Sequence, residues 1–414
     1  MQIAFIHPSF PGSEGTGATH SATQVIEGLR ERGHDVTVYC TSEISDDVLQ
    51  SDPNLEQLVA ESRFLRSFGG ELNREIRSRE KELTEYDHIH SYLMQAMPSI
   101  GEIARRHEVT TSITLNAYFG ICPKNTLLYM GEENCESNGP VKCTSCVTES
   151  MIREIPRFDE PTNKKVVRTP YRWFSKVRGV HHVLNGLEFK DDIDAYRAPS
   201  RHVLQNYEQF GFDAGKIHVI PHPVDEHFSV EHESDFLEPY NLLYVGALEE
   251  HKGVDRLVPI FEKLQSTESA DYNLTIVGSG MMKSQIESQI SNSTVPSKID
   301  LRGFIEYEKL PQVYSNGDIF LYPGRWDEPF ARVFLEALAT GTPIVTTEFG
   351  DIRNMLGGAC RTTDSAPRAM AEKIEELTTE NTLSRMSTKA SKQANKYDAS
   401  TIIKDIIQMY EYDK

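Results

Sequence analysis

The chain has no run of eighteen apolar residues, so no segment of it reads as a transmembrane helix. Its opening, Met1-Gln2-Ile3-Ala4-Phe5-Ile6-His7, lacks the basic and apolar regions of a secretory signal, and a cytoplasmic location is expected. Positive charge is in deficit: 43 Lys and Arg stand against 62 Asp and Glu, a formal balance of −19. Such a balance repels polyanions and argues against nucleic acid as a general partner. Six cysteines in 414 residues are too few for a disulfide scaffold and suit a reducing compartment. No self-similarity at a period of 20–50 residues suggests a solenoid. With 38% hydrophobic residues the chain is an ordinary soluble globular one, long enough for two domains rather than one.

What is present is an alternation of strands and helices. Ile3–His7 predicts a strand, and a glycine-rich loop, Pro11–Gly17, follows it. Ala22, Val25, Ile26 and Leu29 then share one face of a helix over about Thr19–Arg32, stopped by Gly33-His34. Val36–Tyr39 is the next strand. The segment 41–85 is highly charged and reads as loops plus a surface helix, with no run long enough for a central strand. Strand-like pieces return at His88–His90, Thr111–Leu115, His181–Leu184 and Ala195–Arg197, before a helix over 199–212 and a strand at Ile217–Pro221. Pro221-His222-Pro223 marks a linker. The rhythm then repeats: strands at Leu242–Val245, Leu274–Val277 and Ile299–Arg302, helices at Val254–Gln265, Met281–Ser291 and about Ala366–Thr378. The tail 395–414 predicts an amphipathic helix with Ile402, Ile403, Ile406, Ile407 and Tyr410 as its apolar stripe.

The densest signal lies at Asp327–Thr347, DEPFARVFLEALATGTPIVTT. A strand pattern, Ile319–Tyr322, runs into Pro323-Gly324; a loop, an apolar helix, the breaker Gly341-Thr342-Pro343 and a strand, Ile344–Thr347, follow. Ligands of parallel sheets bind beyond the carboxyl ends of the strands, and Glu328 falls there. Glu336 lies in the helix. A carboxylate at such a strand end accepts strong, directional bonds from a polyol; the alternative is a capping Glu and a solvated helix Glu. A second signal is Tyr244-Val245-Gly246-Ala247-Leu248 followed by His251-Lys252-Gly253. A lysine at a loop mouth beside a helix N-terminus suits a diphosphate, although surface lysines in such loops are common. Ile276-Val277-Gly278-Ser279-Gly280 is a strand and a Gly-x-Gly turn.

These strings resemble the signatures of the retaining glycosyltransferases of family 4, which have the GT-B fold. The resemblance implies an α/β architecture of two Rossmann-like domains facing each other across a cleft, with the C-terminal helix crossing back to the first. The expected domains are 1–216, binding the acceptor and carrying a Cys-rich insertion at 122–146; 217–394, binding a nucleotide-sugar; and the helix 395–414. It further implies that Glu328 contacts the donor sugar, Glu336 the ribose and Lys252 the diphosphate, with Gly246, Gly278, Gly280, Phe330, Ala331 and Arg332 also lining the donor site. No cofactor is expected for catalysis. Where the family often has Arg, this chain has Ala247, and Arg325 or Arg332 is the candidate stand-in.

In the first half, Gly15-Thr16-Gly17 lacks the third glycine of a dinucleotide fingerprint, and no acid ends the strand Val36–Tyr39, which argues against NAD. The family keeps a glycine-rich loop here for donor phosphates or acceptor; a tight turn needing positive φ is the alternative. Asp87-His88-Ile89-His90-Ser91 resembles the family's strand whose last His faces the acceptor, which makes His90 a candidate, with a backbone-satisfied His as the alternative. Asn116 stands where the family usually has the His of a Thr-Leu-His-Asp string; an amide can donate a hydrogen bond but cannot shuttle a proton. Cys122, Cys135, Cys143 and Cys146 have the spacing C-x12-C-x7-C-x2-C, which admits a structural zinc, free buried thiols or a redox disulfide. Cys40 and Cys360 read as core thiols. Residues 161–178 carry six basic groups and no acid, with Tyr171, Trp173 and Phe174 among them. The stretch 164–178 therefore suits peripheral contact with an anionic membrane surface, or is a solvated basic face.

The function expected is transfer of a sugar, with retention, from a nucleotide-diphosphate sugar to the hydroxyl of a sugar, lipid-linked or small-molecule acceptor, in glycan, glycolipid or cell-surface polysaccharide synthesis. The candidate catalytic residues are Glu328, Lys252, His90 and Asn116. A nucleotide-sugar epimerase on the same fold, or a non-catalytic nucleotide-sugar-binding protein, is the alternative.

Overall fold

The computed structural model describes residues 1–11, 13, 17–58, 70–131, 133–154, 162–267, 269–378 and 381–411. The chain forms two compact units, one of Met1–His222 with Ser400–Lys414, the other of Pro223–Ala399.

The first unit holds β1 (Gln2–His7), β2 (Asp35–Cys40), β3 (Leu55–Gln57), β4 (His88–Ser91), β5 (Thr110–Thr114), the short pair β6 (Leu128–Tyr129) and β7 (Glu133–Asn134), then β8 (Ala195–Ala198) and β9 (Ile217–Val219). Seven of these form one parallel sheet in the order β3-β2-β1-β4-β5-β8-β9, while β6 and β7 pair antiparallel by themselves. The second unit holds β10 (Tyr240–Val245), β11 (Tyr272–Val277), β12 (Ile299–Gly303), β13 (Ile319–Tyr322), β14 (Ile344–Thr347) and β15 (Cys360–Thr363), a parallel sheet in the order β12-β11-β10-β13-β14-β15. Counted from its own first strand, the second sheet runs 3-2-1-4-5-6, the Rossmann order, and the first runs the same with a seventh strand added at its end, so each has a switch point beside its first strand, where parallel sheets receive ligands. Strands such as Gln2–His7 and Ile319–Tyr322 read as near-continuous apolar runs, as buried parallel strands do.

The core of the first unit shows why its boundary falls late in the chain. Ile3, Phe5, Val25, Ile26, Leu29, Val36 and Val38 pack with Ile402, Ile403, Ile406, Met409 and Tyr410 of the last helix, Ala399–Glu411. That helix lies close enough that a Cβ at Gly28 would sit 2.7 Å from Ile403 Cγ1. The second unit has its own core, from Leu242 and Leu243 through Phe334 and Leu338 to Met386 and Tyr397.

Several expectations need correction. The 216/217 boundary moves to His222/Pro223, because β9 pairs in parallel with β8 and so belongs to the first sheet. His181–Leu184 is helical, part of Thr162–Gly186; Val180 and Val183 are buried at helical spacing, and short apolar runs do not by themselves separate strand from helix. The charged segment 41–85 includes an edge strand, β3, of only three residues. The strand β15 and the helix Thr382–Ala394 carry no period that the sequence reading caught. No helix among the described residues is long and apolar enough to cross a membrane.

Ile406 is fully buried between the last helix and the first sheet. Ile406→Ala is expected to destabilise the first unit by about 2–5 kcal/mol. Urea unfolding followed by a probe in that unit should show a lower midpoint at unchanged slope; an unmoved midpoint would mean the helix contributes no packing energy.

Candidate active site

Two loops meet at the switch point of the second sheet, one leaving β10 and one leaving β13. The first carries Lys252 at the end of a short 3-10 turn, Glu250–Lys252, followed by Gly253 in the left-handed conformation at φ +70°. A Cβ at Gly253 would lie 1.8 Å from the Pro323 carbonyl oxygen, so only glycine lets the two backbones approach. The Arg325 N–H donates to the His251 carbonyl at 2.9 Å and ties the loops together. Gly278, at the end of β11, makes a like approach: its Cβ would lie 1.8 Å from the Gly246 oxygen, at φ +143°.

This closeness brings the Lys252 ammonium to the Glu328 carboxylate, which is buried. The Tyr322 hydroxyl donates to Glu328 Oε2 at 2.6 Å and the Trp326 indole N–H to the same oxygen at 2.9 Å. Lys252 also bonds Oε2, so all three donors converge on one oxygen, and Oε1 accepts no hydrogen bond from the described residues. The Lys252 ammonium lies 5.2 Å from the Trp326 ring centroid and 5.8 Å from that of Tyr322. Burial works to raise the Glu328 carboxyl, but the Lys252 charge and the three donors outweigh it and hold the group below the usual carboxylate range. His251, beside Trp326, is lowered to about 4 by burial and by the Lys252 charge, so its ring is neutral at pH 7.

Glu336 lies one turn into the helix Arg332–Ala339 and is equally buried. Burial raises its carboxyl, against the pull of the Arg332 charge and a 2.9 Å bond from the Tyr314 hydroxyl. Arg332 also donates to the Tyr307 hydroxyl at 2.8 Å. Arg325 binds Asp255 and lies 3.7 Å from Glu250. Both candidate stand-ins for the arginine missing at Ala247 therefore have acidic or phenolic partners in this structure. Phe330 and Ala331 lead into the helix, with the Phe330 ring 6.1 Å from that of Tyr397. Tyr322, Trp326 and Tyr314 are the site residues that the sequence reading missed. Tyr322 looked like one more apolar strand residue; Trp326, one of only two tryptophans, was the available signal.

In the first unit the candidates do not gather in the same way. His90 is fully buried: Nδ1 bonds the Ser112 hydroxyl at 2.7 Å, Nε2 the Thr114 hydroxyl at 2.8 Å, and the ring stacks on Phe5 at 4.9 Å. This corrects the expectation that His90 faces an acceptor; with both nitrogens satisfied inside the core, it is a packing residue, held neutral by burial. Asn116, just beyond β5, donates to the Tyr92 carbonyl at 3.4 Å, and its Oδ1 is buried without a partner among the described residues. Gly17 begins the helix Gly17–Glu31, while Gly15 and Thr16 lie outside the described residues. Trp173 and Phe174 are exposed on the helix Thr162–Gly186; the side chains of 164–172 lie outside the described ones. Cys122, Cys135, Cys143 and Cys146 are all free thiols lining one small cavity, and as they stand no three His, Cys, Asp or Glu side chains among the described residues are arranged to hold a metal.

Comparison with known proteins bears on this geometry. The family model described as Glycosyltransferase Family 4 matches residues 15–228, and that described as Glycosyl transferases group 1 matches residues 229–396. An uncharacterized glycosyltransferase of Methanocaldococcus jannaschii is 32% identical over 115 residues, 28% of this chain and 29% of that protein. The mannosylfructose-phosphate synthase of Agrobacterium fabrum is 29% identical over 161 residues, 35% of each chain. The chain thus spans about a third of the length of these curated relatives. Among solved structures, sucrose-phosphate synthase of Thermosynechococcus elongatus superposes with a TM-score of 0.72 at 16% identity, covering 99% of this chain and 98% of that one. Anabaena HepE in complex with UDP-glucose superposes at 0.68 and 16% identity over 100% of both chains. The fold of these neighbours is the GT-B fold expected from the sequence.

The two buried glutamates give opposite pH signatures. Glu328 is depressed in the folded state, so its linkage supports the fold above the ordinary glutamate range and is lost as pH falls through the folded value. Glu336 is raised, so its contribution is full below that range and is lost as pH rises through the folded value. In urea titrations at a series of pH values, the stability gap between wild type and Glu328→Gln should narrow as pH falls. Glu336→Gln should gain on wild type as pH rises. Gaps that stay constant with pH would contradict both charge assignments.

Proposed function

Because the chain belongs to the glycosyltransferases of family 4, we propose that it transfers a sugar, with retention of anomeric configuration, from a nucleotide-diphosphate sugar to an acceptor hydroxyl. The observation that carries this reading is the Lys252–Glu328 pair at the second sheet's switch point, with three donors on Oε2 and none on Oε1 among the described residues. An ionised, immobilised carboxylate with one unengaged oxygen is a strong acceptor for sugar hydroxyls. Lys252 has three ammonium protons. One serves Glu328, and the others remain for diphosphate oxygens.

Transfer breaks the bond between the anomeric carbon and the phosphate oxygen, and negative charge builds on the leaving diphosphate. Lys252 meets that charge as it develops, which is where an electrostatic contact accelerates rather than merely binds. The acceptor oxygen bonds the anomeric carbon, and its proton departs with the diphosphate. Glu336 is the proposed ribose contact. Gly246, Gly278 and Gly280 let the backbone approach the nucleotide, and Phe330, Ala331 and Arg332 shape the same pocket. Binding of UDP-glucose by Anabaena HepE supports a nucleotide-sugar donor here. On the acceptor side the reading retains Gly15, Thr16, Gly17 and Asn116, whose buried, unpartnered Oδ1 suits a hydroxyl donor. A cytoplasmic protein using a lipid-linked acceptor in glycan or surface-polysaccharide synthesis fits the exposed Trp173 and Phe174.

Screening UDP-, GDP- and ADP-sugars for turnover tests the proposal. Glu328→Ala and Lys252→Ala should each lower kcat by roughly 100- to 1,000-fold while the protein stays folded. Product with inverted configuration would overturn retention. An epimerised donor, or tight donor binding without turnover across varied acceptors, would overturn transfer itself.

A further inference from the structure

The four clustered cysteines lie in the first unit, far along the chain from the donor-site residues, and the transfer reaction gives them no role. They come from a stretch of 25 residues and line a single cavity of about 20 Å³, room for one water-sized occupant. Cys122, Cys143 and Cys146 are buried and Cys135 is half-buried. The remaining walls are mostly apolar, among them Ile121, Pro123, Leu128 and Val147, with Lys124, Asn138 and Lys142 as their polar members.

The backbone around them is arranged as it would be around anions. The Met130 N–H donates to Cys146 Sγ at 3.3 Å, and the Lys124 ammonium reaches the same sulfur at 3.6 Å. Lys142 also lines the cavity. N–H donors and two cations favour thiolates over thiols. A buried group of thiolates is stable only with a counter-ion among them.

The loop also needs such a tie. Asn125, Leu127 and Met130 all have positive φ, and such strain persists only where surrounding contacts over-determine it. The apolar cluster at hand is small: Cys143, Val147 and Val180, with Leu184 against them.

We propose that Cys122, Cys135, Cys143 and Cys146 form a structural zinc site, a tetrahedral tetrathiolate that fixes the loop 121–139 onto the helix Pro140–Glu154. Spacing supplies the logic: Cys143-x-x-Cys146 on the first turns of a helix gives two ligands, and the turn at Cys122 and the end of the β6–β7 pair at Cys135 give two more. As free thiols the four line the cavity without converging, and the Cys135 S–H bonds the Ser137 carbonyl at 3.1 Å. Zinc binding draws the sulfurs inward and releases four protons, leaving a complex of charge −2 beside Lys124 and Lys142. The site is independent of the proposed transfer reaction.

Elemental analysis of the full chain, produced with zinc in the medium and purified without chelator, should find about one zinc per chain. Cys143→Ser/Cys146→Ser should reduce this to none, whereas Cys40→Ser and Cys360→Ser should leave it unchanged. Because the double variant can fail to fold, cobalt substitution of the wild type gives a second readout: intense visible absorption of tetrahedral thiolate-bound Co²⁺ is expected. Metal-free protein in which the four clustered thiols titrate under native conditions, or a disulfide among the four under reducing purification, would overturn the proposal.

Discussion

A charged carboxylate taken out of water must be neutralised where it sits, and Glu328 is such a group. Its cation comes from another loop. The pair therefore exists only if the chain after β10 and the chain after β13 touch, which requires that these strands be neighbours. The sheet order provides that adjacency, and Gly253 allows the last approach by presenting no side chain to Pro323. Tyr322 and Trp326 then fix which carboxylate oxygen is used. Topology, glycine and aromatic donors act together on a single oxygen, and the second oxygen accepts no hydrogen bond from the described residues.

Much of this was legible in the sequence. Buried parallel strands announce themselves as short apolar runs closed by glycine or proline, and Ile319–Tyr322 and Ile344–Thr347 fall within the limits read for them. Glu328 and Lys252 stood out because the strings around them resemble the family's signatures; alone, a glutamate or a lysine in a strand-end loop reads as a cap or a surface charge. Tyr322 and Trp326 did not, because an aromatic residue inside an apolar run looks like core until its hydroxyl or N–H is seen to have a partner.

The misreadings share one cause. His181–Leu184 is four residues with mixed apolar and imidazole character, and whether it becomes strand or helix depends on a long helix whose remaining turns begin at Thr162. His90 sits at a strand end as a ligand-facing residue would, yet the neighbouring strand offers Ser112 and Thr114 hydroxyls at hydrogen-bond distance on both sides of the ring. No local pattern reveals that cross-strand partner, since Ser112 lies 22 residues away along the chain. Long-range pairing thus decides whether a polar residue belongs to the core or to chemistry.

The last helix has a consequence for the order in which this molecule is made. The first sheet is complete once Val219 has been synthesised, but Ile3, Phe5, Val25 and their neighbours still lack Ile402, Ile403, Ile406 and Tyr410. During translation an apolar face of the amino-terminal unit waits while about 180 further residues emerge, at a ribosomal pace of roughly 10–30 s. Throughout that interval the nascent chain presents a ready surface for a chaperone or for misassociation, until the helix Ala399–Glu411 emerges and covers it.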